Sequence, residues 1–245
     1  MRNKCFLLIL CLSLGSILYA QKDKVKNDVN FEDEPYHFGY TLGINVMDFA
    51  ITPNSPLSGS NKHIVPVVAN PQAGFHVSAL ASFRLNDYFS IRTLPGLSFG
   101  QRSIIYSSGQ YDSYGPDSLF GVAQTIDAAN IEVPLLLKYR ALRINNWAPF
   151  VLGGFNLKYD LLSKNNFVED KDLYIKVKPL NYALDYGAGI DFYLPYFKFS
   201  IELKMSLGLN DILVHEPYEE YPESAYTDAI KSLKTSTFMI SFHFE

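Results

Sequence analysis

The chain has 245 residues, 48% hydrophobic and 19% charged, with a formal net charge of −4. One domain plus a targeting segment fits that length, and the charge balance speaks against a nucleic-acid-binding protein. Aromatic residues reach 15%, with 17 Tyr and 18 Phe against one Trp, a composition that suits pleated, half-buried strands better than helices.

Residues 1–20 read as a secretory signal. Arg2 and Lys4 precede the short apolar run Phe6–Leu14, and Ser16–Ala20 ends in a small residue before the charged Gln21-Lys22-Asp23-Lys24. The run is too short for an ordinary spanning helix, and cleavage is expected after Ala20. Both cysteines, Cys5 and Cys11, fall inside this segment, so no disulfide scaffold or thiol chemistry is expected beyond it. A lipoprotein would need acylation at Cys11, where the preceding Leu10 is too bulky. Residues 21–36, charged and poor in apolar side chains, read as a flexible periplasmic lead.

From residue 37 to 245 the dominant period is two, and it recurs eight times. The first strand is expected at Phe38–Met47, the second at Ala73–Arg84, the third at Phe89–Gln101 and the fourth from about Ile126 to Arg140. The fifth follows at Ala148–Asp160, the sixth at Tyr182–Tyr193, the seventh at Phe197–Leu209, and the eighth ends at Phe244. The seventh alternates most cleanly: every odd residue is apolar, against Lys198, Ser200, Glu202, Lys204, Ser206 and Gly208. Thirteen residues at ~3.3 Å each span roughly 43 Å, enough for a tilted strand to cross a ~25 Å apolar band. Tight turns (Asn86–Tyr88, Leu142–Asn146, Pro195–Tyr196) alternate with long polar links near 48–72, 102–125, 161–181 and 210–234. No stretch after residue 20 offers the ~20 apolar residues of a spanning helix, and only helices and closed barrels satisfy every backbone polar group in lipid. The expected fold is therefore all-β: an eight-stranded antiparallel up-and-down transmembrane barrel in the outer membrane, with short turns and both termini on the periplasmic side.

A soluble eight-stranded barrel would show the same alternation with its apolar face inside. Three features favour lipid. The polar face is rich in Gly and Ser, as a narrow lumen needs. Aromatics gather at strand ends: Tyr88, Phe89, Tyr139, Trp147, Tyr193, Tyr196 and Phe197 on the turn side, and Phe99, Tyr106, Tyr159 and Tyr182 toward the loops. The last strand closes on Phe242-His243-Phe244. Arg92, Glu132, Lys138, Asp185, Asp191, Lys198, Glu202 and Lys204 then fall on the lumen face, where they are expected to pair as a structural polar network; an ion or substrate path is the sharper alternative.

Chemistry-bearing motifs are sparse. None of His37, His63, His76, His215 and His243 has metal-ligand spacing with another, and no nucleophile elbow or phosphate loop is present. Only His63 and His215 are placed for a lipid-modifying enzyme at the loops, with no motif beside them, so no enzymatic activity, cofactor or small-molecule substrate is expected. Glu216, Glu219, Glu220 and Glu223 could gather a hard cation or form a solvated acidic loop. Interleaved with Tyr218, Tyr221 and Tyr226, they make Tyr218, Glu219, Glu220 and Tyr221 a candidate contact site.

Several stretches carry a narrower likeness: His37–Gly43 with Met47-Asp48-Phe49, Phe83–Asn86, Leu94–Leu97, Ile131–Tyr139, Asn145-Asn146 with Pro149–Gly154, and Gly187–Leu194 with Tyr196–Ser200. Together, across roughly residues 36 to 245, they resemble the PorT (SprT) family of outer-membrane barrels of the type IX secretion system. The Gly187–Ser200 stretch carries most of it, and Pro195 replaces an expected aromatic. The resemblance implies a non-enzymatic component, with other secretion components as partners, needed for export of cargo and for gliding in some species. Eight strands leave no room for folded cargo, so the implied role is assembly or accessory contact. A generic small barrel serving envelope integrity, adhesion or minor pore activity is the alternative.

Overall fold

The computed structural model describes residues 26–27, 31, 34–53, 64–108, 121–163, 177–214 and 230–245; the expected signal segment lies outside the described residues. The strands are β1 (Tyr36–Pro53), β2 (Ile64–Arg84), β3 (Phe89–Thr93), β4 (Gly96–Ser108), β5 (Gly121–Arg140), β6 (Trp147–Asp160), β7 (Leu180–Tyr193), β8 (Lys198–Gly208) and β9 (Ile230–Phe244). β3 and β4 are two halves of the expected third strand. Thr93 faces Ala81 and Leu135, Gly96 faces Ser78 and Glu132, and the register is continuous across the break. Pro95 has no N–H for the ladder, although its carbonyl still accepts from Ala79 N–H at 3.0 Å.

Eight antiparallel positions result. β1 pairs with β2 on one side and β9 on the other, so the sheet closes on itself. The register can be followed once around the ring. Phe38 faces Ala81, which faces Thr93; Leu135, Phe155, Leu184, Leu207 and Ser236 follow in turn, and Ser236 faces Asp48. The circuit climbs from residue 38 to residue 48 of β1. With ~3.3 Å per residue and ~4.7 Å between strands, that stagger gives a tilt of about 41° and a backbone radius of about 8 Å.

The turns follow from local chemistry. Asn86 Oδ1 accepts from the N–H groups of Tyr88 (2.9 Å) and Phe89 (2.7 Å), closing the β2–β3 turn. Asn145, between β5 and β6, has φ 54°, a left-handed conformation that asparagine tolerates. Between β7 and β8, Leu194 N–H bonds Phe197 O at 3.0 Å around Pro195.

At the loop end the strands run further than periodicity predicts. β1 continues to Pro53, β2 begins at Ile64, β4 runs to Ser108, β5 begins at Gly121 and β9 at Ile230. The long links are therefore shorter than expected: 54–63, 109–120, 164–176 and 215–229 remain outside the described residues. The extension escaped notice because its polarity is inverted. In the lower barrel the outward positions of β1 are Phe38, Tyr40, Leu42, Ile44 and Val46, all exposed, with Thr41 and Asn45 buried. From residue 47 the same geometry carries Met47 and Phe49 inward and Asp48, Ala50 and Thr52 outward. The ten steps from Tyr36 to Val46 rise about 25 Å at this tilt, the height of the apolar band of an outer-membrane barrel.

Apolar side chains cover the lower wall all round, reaching 73% exposure at Phe38 and 63% at Leu135, while charged side chains lie within. That is the arrangement of a barrel set in lipid. On the turn side Tyr88, Phe89, Tyr139, Tyr196 and Phe197 face outward, as a girdle requires. Tyr193 does not join them. It is 1% exposed and turns inward beneath Arg143, whose Cζ lies 3.8 Å from the ring centroid. Toward the loops Tyr182 is outward and Phe99 and Tyr159 are half-buried; the side chain of Tyr106 lies outside the described ones.

The inversion places the upper edge of the lipid. Leu135→Arg, at mid-band, should cost about 2–4 kcal/mol of folding stability in lipid vesicles, and Ala50→Arg, on the extension, about 0–1 kcal/mol; denaturant titration of both variants measures the difference.

Candidate functional site

Among the described residues the interior is the lumen, and side chains fill it. At the turn end, Arg92 of β3 reaches Glu245 (2.7 Å) and Glu202 of β8 (3.5 Å), and Lys198 reaches the other oxygen of Glu245 at 2.7 Å. Lys138 Nζ donates to both oxygens of Asp191 at 2.8 Å, and Ser200 Oγ donates to Asp191 at 2.7 Å. At mid-height Glu132 accepts from Ser98 Oγ (2.5 Å) and Asn156 Nδ2 (2.9 Å), with Lys158 at 3.7 Å. Asn156 Nδ2 also donates to Asp185 (3.0 Å), which pairs with Lys204 at 3.4 Å. Higher still Arg102 meets Asp160 at 3.5 Å.

Among the described residues this lumen holds six basic side chains (Arg92, Arg102, Lys138, Lys158, Lys198, Lys204) and six carboxylates (Glu132, Asp160, Asp185, Asp191, Glu202, Glu245). Each has an opposite charge within 4 Å. A buried charge without a partner would cost several kcal/mol, so the matched set is what lets them stay ionised there. All eight lumen residues singled out in the sequence lie in this network. Arg102, Lys158, Asp160, His243 and Glu245 join them. Arg102 escaped because the third strand was ended at Gln101; Lys158 and Asp160 sit at the same alternating positions as the others and could have been included.

Two apolar groups share the lumen. Leu80, Leu94, Leu136, Phe150 and Leu152 form a wall on one side. Phe150 carries Lys138 Nζ 3.6 Å from its ring centroid, a cation–π contact. Gly189 makes room for that ring, since a Cβ there would come 2.5 Å from Phe150 Cζ. The sequence marks this wall by runs apolar on both faces, Leu135-Leu136-Leu137 and Phe150-Val151-Leu152. At the loop end Phe49, Ile104, Ile126, Val177, Ile212, Leu213, Ile230 and Leu233 pack into a buried plug inside the extension.

The free space is correspondingly small. A cavity of about 20 Å³ at mid-height, bordered by Thr41, His76, Ser98, Glu132, Lys204 and Ser241, is sized for a single water molecule. Thr41 Oγ1 lies 2.7 Å from His243 Nδ1, and His243 Nε2 lies 3.0 Å from Glu202. This is the order of a nucleophile, base and acid. All three are buried, however, and the adjoining space admits no acyl or glycosyl substrate. Among the described residues no three His, Cys, Asp or Glu side chains gather as a metal site.

The turn-end mouth is covered by part of the lead, which the sequence suggests to be flexible. Asn27 N–H donates to Asn146 Oδ1 (2.9 Å), its Nδ2 donates to Tyr193 O (3.1 Å), and Arg143 donates to its carbonyl. Phe31 stacks on His37 with centroids 3.9 Å apart, and Lys198 Nζ lies 4.4 Å from its ring. The lead is held because the inward Tyr193 and the β5–β6 turn offer it both an aromatic face and polar partners. Tyr218, Glu219, Glu220 and Tyr221, the candidate loop contact, lie outside the described residues, as do His63 and His215.

Residues 19–214 match the family model described as outer membrane protein beta-barrel domain. No curated protein matches the chain. Among solved structures, OprG of Pseudomonas aeruginosa is similar at 11% identity, covering 84% of this chain and 92% of that one, with a TM-score of 0.43. Neisserial surface protein A is similar at 10% identity over 86% and 98% of the two chains, TM-score 0.38. The attachment invasion locus protein Ail of Yersinia pestis is similar at 12% identity over 86% and 98%, TM-score 0.36.

Two outcomes test the filled lumen. Reconstituted in planar bilayers, the barrel should show no steady single-channel conductance. Lys138→Met, which strands Asp191, should lower unfolding stability by about 3–5 kcal/mol, and Lys138→Met with Asp191→Leu should restore at least half of the loss, read by denaturant titration.

Proposed function

The chain belongs to the outer membrane protein β-barrel domain family, and on that premise we propose that it acts without catalysis, through its two ends, as an accessory or assembly component of type IX protein secretion. The observation that supports this is the lumen: among the described residues a ring of about 8 Å radius is packed with paired charges and capped by an apolar plug. In this reading a barrel so filled works by what it presents on either side of the membrane.

The narrower assignment rests on the PorT-like stretches, above all Gly187-Ala188-Gly189-Ile190-Asp191-Phe192-Tyr193-Leu194 with Tyr196-Phe197-Lys198-Phe199-Ser200. These residues include Asp191 and Lys198 of the turn-end network, the paired Phe192 and Phe199 of β7 and β8, and the turn between them. In this reading the turns and the lead face the periplasm, where they meet other secretion components, and gliding depends on the protein in species that glide. A second reading, a small barrel that maintains the envelope or adheres through its loops, is favoured by the breadth of the matched domain, which is common to outer-membrane barrels in general.

A clean chromosomal deletion separates the two. Under the secretion reading, cargo normally released accumulates in the periplasm and a plasmid copy restores export. Detergent and dye leakiness with normal cargo release would instead establish the envelope reading.

A further inference from the structure

We infer that the turn-end mouth is a cradle for a phosphate oxyanion, roofed by Phe31 and opening toward the lipid. A cavity of about 40 Å³ lies there, twice the size of the one at mid-height. Five basic side chains border it, with Asp87 and Asp191 beside them and Glu245 behind, pairing Arg92 and Lys198. Arg92, Lys138 and Lys198 reach it from within the lumen, the hydroxyl residues Ser82 and Ser90 from β2 and β3.

The independent sign of a ligand is Arg92. Its guanidinium is 1% exposed, yet Nε makes no hydrogen bond and Nη1 has only the 3.5 Å ion pair with Glu202; its one short contact is Nη2 to Glu245. A buried guanidinium that leaves donors unused is costly. An oxyanion, with acceptors on every side, is the group that would take them up.

The border of the cavity points to where that oxyanion comes from. Beside the lumen cations it includes Tyr88 and Phe89, which face the lipid at the girdle. The cradle thus spans from the charged interior to the headgroup level of the turn-side leaflet. A phospholipid could place its phosphodiester among Ser82, Ser90 and Arg92 while its chains stay outside the wall. Phe31, stacked on His37 and above Lys198, closes the side away from the lipid. Free phosphate offers the same chemistry without the chains. The inference is independent of the secretion role.

The test is native mass spectrometry of the full chain refolded in detergent, with phosphatidylglycerol, with diacylglycerol of the same chains, and with inorganic phosphate. The expected result is retention of phosphatidylglycerol over diacylglycerol by at least ten-fold. Ser90→Asp, which places a carboxylate in the cradle, should abolish the preference while the heat-dependent gel shift of the folded barrel is unchanged. Arg92→Gln should do the same wherever it folds, and Ser90→Asp decides the matter if it does not. Retention of inorganic phosphate alone, lost in Ser90→Asp, keeps the cradle and assigns it to the free ion. Equal retention of phosphatidylglycerol and diacylglycerol without phosphate binding, or a preference untouched by Ser90→Asp, overturns the inference.

Discussion

In hydrocarbon a backbone N–H or C=O without a partner costs several kcal/mol, and no water is at hand to relieve it. A sheet can meet that constraint only by having no edge. Here the requirement falls on the seam between β1 and β9, which pair from Tyr40 with Phe244 to Pro53 with Ile230. Once that seam is made, stagger, tilt and radius are linked. The break at Pro95 falls where the proline carbonyl still serves a neighbour and the register on both sides is kept.

Closure also fixes what the interior can be. A ring this narrow leaves space for side chains and little else, and charges placed there must find each other. The partners are far apart in the chain: Arg92 and Glu245 are 153 residues apart, Lys138 and Asp191 53. They meet only when several strands have taken their places. The lumen network is thus a consequence of the fold as much as a support for it, and its matched composition penalises any slipped register, which would carry charges to the lipid face. The phenyl ring of Phe150 beneath Lys138 and the space left by Gly189 show the same dependence at the level of single atoms.

Much of the barrel was legible in the sequence because a period of two has one reading once a face is apolar. Phe197 to Leu209 displays β8 without ambiguity, and Lys198, Glu202 and Lys204 fall inward by parity alone. Legibility failed where parity persisted but polarity changed. Met47, Phe49 and Asp48 continue β1, yet they read as the start of a loop because apolar residues now occupy the positions that polar ones held below. Arg102 was lost because the third strand reads as ending one residue earlier, at Gln101. The inward turn of Tyr193 follows the parity of Asp185 and Asp191 and was misread from its place at a strand end; the seating of Asn27 and Phe31 depends on contacts across more than 160 residues, and no local pattern encodes it. The family resemblance named a wall and a turn, and said nothing of what fills the ring.

The change of phase at residue 47 of β1 has a mechanical meaning. Below it the wall is soluble in lipid, above it in water, and the backbone passes between the two without a joint. Sinking the barrel by one pair of residues would bring Asp48 into hydrocarbon, and raising it would lift Val46 out into water. Opposed costs of that kind make a collar: the protein rides at one depth and one polarity in the membrane, and whatever binds at either end meets a platform of fixed height.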